Sequence, residues 1–161
     1  MSLSGHAALS ALKNHNTHGP VDIDAQRVEV RDKDKTVLFT GTVHVAQGDM
    51  KLAANSARVF YDRNKNKSEV RRVDAQGAVK LSSPTETVDA AWGIYDVETS
   101  AVTLGGNVTL TQGKNEVHGQ RLELNLKTGV TTLDGNDPST KTANTGRVHA
   151  TFSVPERPVK P

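Results

Sequence analysis

Few side chains in this chain are spaced for chemistry. Asp22 and Asp24 stand two apart, the spacing of a carboxylate pair on one strand face, able to share acid and base roles. They alternate with Val21 and Ile23, so the same spacing also describes a plain wetted face. His15 and His18 have the spacing of one helical face and hence of a two-histidine metal site. Asn16, Thr17 and Gly19-Pro20 oppose a helix there, and a flexible tail is the expectation. His44, His118 and His149 lie opposite apolar neighbours and are expected to face solvent. Gly105-Gly106 is followed by no helix signal, so it is no phosphate cradle. Neither Gly-x-Ser-x-Gly nor His-Glu-x-x-His occurs. The reading is of a chain that is not an enzyme and needs no metal or cofactor.

The regularities lie elsewhere. Ala25-Gln26-Arg27-Val28-Glu29-Val30 has the same form as Ser56-Ala57-Arg58-Val59-Phe60-Tyr61 and Gly119-Gln120-Arg121-Leu122-Glu123-Leu124. Gly146-Arg147-Val148-His149-Ala150 is a shortened copy. Ala90-Ala91-Trp92-Gly93-Ile94-Tyr95 is a degenerate one, with Trp92 in the Arg place. These anchors are spaced by 31, 34, 29 and 26 residues. Between them falls a second element, Gly-x-apolar-x-apolar, at Gly41, Gly77 and Gly106. Two strand types alternating about every thirty residues point to stacked supersecondary units.

Both elements have period two, which means half-buried strands with a dry and a wet face. Val28 and Val30 share one such face, as do Val43 and Val45. The dry positions change phase between Ala54 and Val59, and again after Val117, so a bulge or corner is expected there. The Arg ladder should point outward, with cross-strand partners such as Glu29 and Glu123.

The chain of 161 residues is 35% hydrophobic but only 4% aromatic. Aliphatic strands with few large rings suit an interior that is lined without being tightly filled; an ordinary packed sandwich has the same composition. The net charge of +2 is spread along the chain with no basic block or aromatic platform, so nucleic acid is not an expected partner. The absence of cysteine removes disulfides and thiolate sites. No run is long enough to cross a membrane as a helix.

The organisation expected is a flexible segment 1–19 with helical turns around Ala7 to Leu12, a domain over 20–154, and a disordered tail 155–161 carrying Pro155, Pro158 and Pro161. Gly48-Asp49, Ser82 to Thr85, Thr99-Ser100, Lys114-Asn115 and Lys127 to Gly129 read as turns. Asp62 to Ser68 reads as an exposed loop and Asp134 to Thr145 as a long mobile one. Val148, Ala150, Phe152 and Val154 give a last strand.

Asp24 to Val30, Phe39 to Gly48, Leu52 to Val59 and Leu104 to Gly113, in this order and spacing, resemble the OstA-like family. The resemblance covers about Pro20 to Phe152, and Trp92-Gly93 departs from the pattern. It implies an all-β fold: a twisted antiparallel β-jellyroll of stacked strand pairs, open at both ends. It implies a Gram-negative periplasmic location, with an export leader ahead of this sequence. It also implies lipopolysaccharide transport, with lipid A acyl chains inside the roll and sugars outside. Partners would be inner-membrane and outer-membrane proteins of the same fold, with copies joining end to end. The strands from Val21 and to Val154 would be the docking edges.

Lining is expected from Val21, Ile23, Phe39, Val43, Val45, Val79, Leu81, Tyr95, Val97, Val108, Leu110 and Leu124. Two alternatives stand: the periplasmic part of the related inner-membrane component, and a structural β-solenoid with a dry, filled interior. A sugar-binding domain is a weaker third, because stacking aromatics are scarce. On the carrier reading, Val43→Asp or Leu110→Asp abolishes lipopolysaccharide capture; a folded variant that still captured it would contradict the assignment.

Overall fold

Alternation of aliphatic and polar residues draws the described residues into ten strands. The computed structural model describes residues 19–64, 67–136 and 146–153. They form β1 (Asp22–Asp24), β2 (Arg27–Arg31), β3 (Thr36–Gln47), β4 (Met50–Asn64), β5 (Lys67–Ser82), β6 (Thr87–Asp96), β7 (Ala101–Gln112), β8 (Asn115–Asn125), β9 (Thr131–Asp134) and β10 (His149–Thr151). All pairs are antiparallel. The order is β1-β3-β4-β5-β6-β7-β8-β10, with β2 also on β3 and β9 also on β8. The expected helical turns, His15, His18, Val154 and the tail lie outside the described residues, as does most of the expected 134–145 loop.

The long strands are interrupted at one shared level of the sheet, and the β4–β5 pair shifts once more between Phe60 and Tyr61. Register slips between Thr40 and Val43, Gln76 and Val79, and Gly105 and Val108. At each slip two residues of β3, β5 or β7 oppose one of the neighbour. The pairs are Gly41-Thr42, Gly77-Ala78 and Gly106-Asn107. Both members have positive φ: 84 and 46, 83 and 46, 78 and 54. Two residues against one is a β-bulge, which bends a strand. Three bulges in line fold one sheet into two facing halves, and the result is a β-jellyroll. The phase change expected on the Arg-bearing strands is therefore met by a bulge on their partners. Glycine is required at the first position. A Cβ on Gly106 would lie 2.6 Å from the Ala91 Cβ, and one on Gly77 would lie 2.5 Å from Asn55.

Facing the halves buries their aliphatic sides as one cluster. Leu104, Leu122 and Val73 are wholly buried within it. Gly93 leaves room for Leu104, whose Cδ2 would lie 2.6 Å from a Cβ there. The outward side carries the repeated anchors. Trp92 lies flat over Gly105, in space a side chain would fill, and the Arg121 guanidinium sits 5.8 Å from its ring centroid. The substitution of Trp for Arg is thus absorbed by a glycine on the next strand.

Three expectations need correction. Val28 and Val30 share the dry face but are 55% and 62% exposed, because β2 is the last strand of its half and nothing covers it. Glu29 and Glu123 take partners along their own strands, Arg31 at 3.5 Å and Arg121 at 3.2 Å, while the pairs Lys80–Asp89 and Arg71–Asp62 run across strands at 3.8 and 3.6 Å. Arg72 bonds Asp74 along its own strand, at 2.8 Å. Asp62 to Ser68 is mostly strand, since Asp62 pairs with Glu69 and Asn64 with Lys67.

The corners make a test. Gly106→Ala is expected to cost about 2 kcal/mol, from its left-handed φ and the crowding of Ala91. Ala78→Asn, which suits the left-handed region, should gain about 0.5 kcal/mol. Urea unfolding midpoints measure both, and midpoints unmoved in either variant would contradict this account of the bend.

Candidate functional site

The interior is the candidate site, and alternation decides which residues enter it. Val43, Val45, Val79, Leu81, Tyr95, Val108, Leu110 and Leu124 are buried in the common cluster. Val21, Ile23, Phe39 and Val97 are only partly buried and pack against it from the ends. All twelve expected lining residues thus fall on the inner face. Sequence reasoning missed the exposure of Val28 and Val30, and also the burial of Gln47 and Glu86. Gln47 was visible as the next odd position after Val43 and Val45. Glu86 was hidden in a turn-like run, Ser83-Pro84-Thr85-Glu86.

The middle of the interior is filled by the protein's own side chains. Its apolar void, bounded by Val45, Met50, Leu52, Leu81, Tyr95 and Leu104, measures about 20 Å³. That is room for little more than one water molecule. The walls are in contact rather than apart. Val43 and Leu110 lie at this contact, so an Asp at either reports on folding as well as on ligand.

The seam where the two halves meet is looser. A cleft of about 550 Å³ opens beside Val21, Gln47, Val70 and Val97, drawing on both halves. Beside it the Tyr95 hydroxyl donates to Gln47 Oε1 at 2.6 Å, and Gln47 Nε2 donates to the Gly19 carbonyl at 2.9 Å. Tyr95 lies on β6 beyond its corner and Gln47 on β3 beyond its own, so this bond ties one half to the other. Burial pushes the Tyr95 hydroxyl up to about 12, with the Gln47 hydrogen bond pulling the other way. It stays a neutral donor at physiological pH.

Both ends of the roll are uncovered. At one end β1 and β2 pair only with β3, and Val28, Val30 and Phe39 continue the dry face to the edge. At the other, β9 and β10 pair only with β8, and Val148 and Phe152 are exposed. Unpaired strand edges beside apolar surface are ready templates for another strand. The outer face is polar. His118 and His149 stack with ring centroids 6.3 Å apart, and His118 Nδ1 is 3.0 Å from Thr109 Oγ1. His44 is exposed, as are Asp22 and Asp24. Among the described residues no three of His, Asp or Glu gather as a metal-binding group.

Among the described residues Glu86 is the one acidic group deep in the fold, 4% exposed. Desolvation raises its carboxyl from 4.5 to about 8. The folded chain holds this proton while the unfolded chain releases it near 4.5. Stability from this group is therefore full below pH 4.5 and is lost as pH rises to about 8. Glu86→Gln should abolish that loss, gaining on the order of 2 kcal/mol at pH 9 and little at pH 4. Urea melts across this range measure it, and parallel pH profiles for the two proteins would contradict the assignment.

Comparison with known proteins agrees with this geometry. Residues 22–130 match a family described as LptA/(LptD N-terminal domain) LPS transport protein. An uncharacterized protein of Rhizobium meliloti (strain 1021) is 29% identical over 146 residues, covering 83% of this chain and 78% of that protein. The fold superimposes with a TM-score of 0.74 on the crystal structure of LptH, the LptA homologous periplasmic component of the conserved lipopolysaccharide transport device from Pseudomonas aeruginosa. That match covers 87% of this chain and 99% of LptH at 18% identity, and it carries the fold.

Proposed function

The chain belongs to the LptA/(LptD N-terminal domain) family of LPS transport proteins, and on that premise we propose that it shields lipid A acyl chains between its two half-sheets. It acts as a periplasmic bridge and performs no catalysis. The observation that carries this reading is one aliphatic face running from the β1/β2 edge to the β9/β10 edge, uncovered at both. A buried methylene is worth about 0.8 kcal/mol, so an acyl chain of about a dozen carbons loses on the order of 10 kcal/mol on entering water. Transfer across an aqueous space therefore requires a continuous apolar path. The charged and polar outer face suits the sugar portion.

The closed middle sets the mechanism. The chain must part the half-sheets at the seam, beginning at the cleft of Val21, Val70 and Val97. Aliphatic walls re-form easily after a chain passes, because they hold few directional bonds. The partners are proteins of the same fold: an inner-membrane LptC-type and an outer-membrane LptD-type component, with further copies of this chain joined end to end. Their edge strands would extend the sheet by β-augmentation. The closed middle equally favours a packed scaffold without lipid affinity, and the test below separates the two.

Photo-crosslinking side chains placed at Val45 and at His44, one facing in and one facing out, are exposed to purified lipopolysaccharide. Labelling at Val45 with silence at His44 is expected. Silence at both positions, with the protein folded, leaves only the scaffold. For the bridging role, Val30→Asp should weaken end-to-end association about tenfold in sedimentation experiments while leaving the melting curve unchanged. Undiminished association would contradict the use of that edge.

A further inference from the structure

Within the described residues, five buried side-chain atoms lack a hydrogen-bonding partner in the protein, and four of them lie together. They are Ser83 Oγ, Glu86 Oε1 and Oε2, and Gln112 Oε1. Ser82 pairs with Thr87 and Thr87 with Thr111, so Ser83, Glu86 and Gln112 occupy adjacent places on one rung. The bond from Ser83 N to Glu86 O, 3.0 Å, fixes the first of these steps. By alternation the three stand on the same face as Leu81, Val88 and Leu110, which is the inner one. Adjacent places on a rung set Cβ atoms about 5 Å apart. An apolar wall thus ends, along the seam, in a short strip of oxygens aimed inward.

Each unmatched buried oxygen costs about 1–3 kcal/mol. A strip of four is an expensive feature for a wall that leucine would complete. It becomes favourable when a donor arrives from the interior. We infer that the Ser83–Glu86–Gln112 rung binds a hydroxyl group carried on an aliphatic chain lying between the half-sheets. This rests on the carrier reading above and adds a polar contact to it. A hydroxyl suits the strip better than an ammonium. Among the described residues no cation pairs with Glu86, whose carboxyl is pushed up to about 8 by burial, and a neutral carboxyl can both accept from a hydroxyl and donate to it. Met50 is the next place on the rung after Ser83, since Lys51 pairs with Ser82. It also borders the apolar void, which therefore lies one place along the rung from the strip.

The test uses two uncharged probes: the N-methyl amide of 3-hydroxytetradecanoic acid and that of tetradecanoic acid. Dissociation constants are measured by calorimetry on the intact chain, below the aggregation limit of the probes. The wild type is expected to bind the hydroxylated probe about tenfold more tightly. Glu86→Leu combined with Gln112→Leu should bind both probes alike, with the plain one held at least as well as before. Glu86→Gln should restore most of the preference, which a merely structural role would not do. Thermal melts confirm that each variant is folded. Equal affinities in the wild type would overturn the inference and leave the carrier reading standing, with the strip satisfied by water alone. A preference that survived the double substitution would place the hydroxyl elsewhere and overturn it too. Failure of both probes to bind the wild type would overturn it together with the carrier reading.

Discussion

The bend of the sheet depends on backbone that most residues avoid. Three times, two successive residues take positive φ, and three times the first of them is glycine. Without Gly41, Gly77 and Gly106, strands of twelve to sixteen residues would run straight and one aliphatic face would meet water. With them, the sheet folds over and that face meets itself. Everything functional follows from the fold-over: one dry interior, a seam opposite the corners, and two ends where the last strands have no neighbour.

The second constraint is the aliphatic character of the interior. Side chains without directional bonds pack closely when alone, and the void of about 20 Å³ shows how completely they do so here. The same lack of direction keeps the cost of parting them to lost contact and hydration, with few hydrogen bonds to break. The polar ties gather at the seam, where Tyr95 reaches Gln47 across the two halves. On the proposed carrier reading, a closed apolar core and a path for acyl chains are two states of one structure, with the corners as hinges and the seam as the side that opens.

Much of this was legible in the sequence, for reasons that differ by residue. The phase changes on the Arg-bearing strands announced corners, and the structure puts the bulges opposite them, at the glycines that open the Gly-x-apolar-x-apolar copies. The period-two alternation placed all twelve lining residues on the inner face, and it placed His44, Asp22 and Asp24 on the outer one. What escaped notice depended on neighbours rather than on local pattern. Val28 and Val30 are exposed because β2 ends the sheet, and their own alternation cannot reveal that. Arg121 lies over Trp92, which fills the place across from it on the β7 side, and it pairs with Glu123 on its own strand. Glu86 looked like part of a polar turn, yet the hairpin carries it inward. Its burial follows from the pairing of three strands that lie apart in sequence.

The central claim is that the half-sheets separate to admit hydrocarbon. The chain has no cysteine, so Lys80→Cys and Thr103→Cys place single spin labels on the outer faces of opposite halves. Pulsed electron resonance then gives the distance between them with and without saturating lipopolysaccharide. The account predicts a wider distance in the loaded protein, with labels placed within one half unmoved. An identical distance distribution in the two states, with lipopolysaccharide shown to be bound, would contradict it.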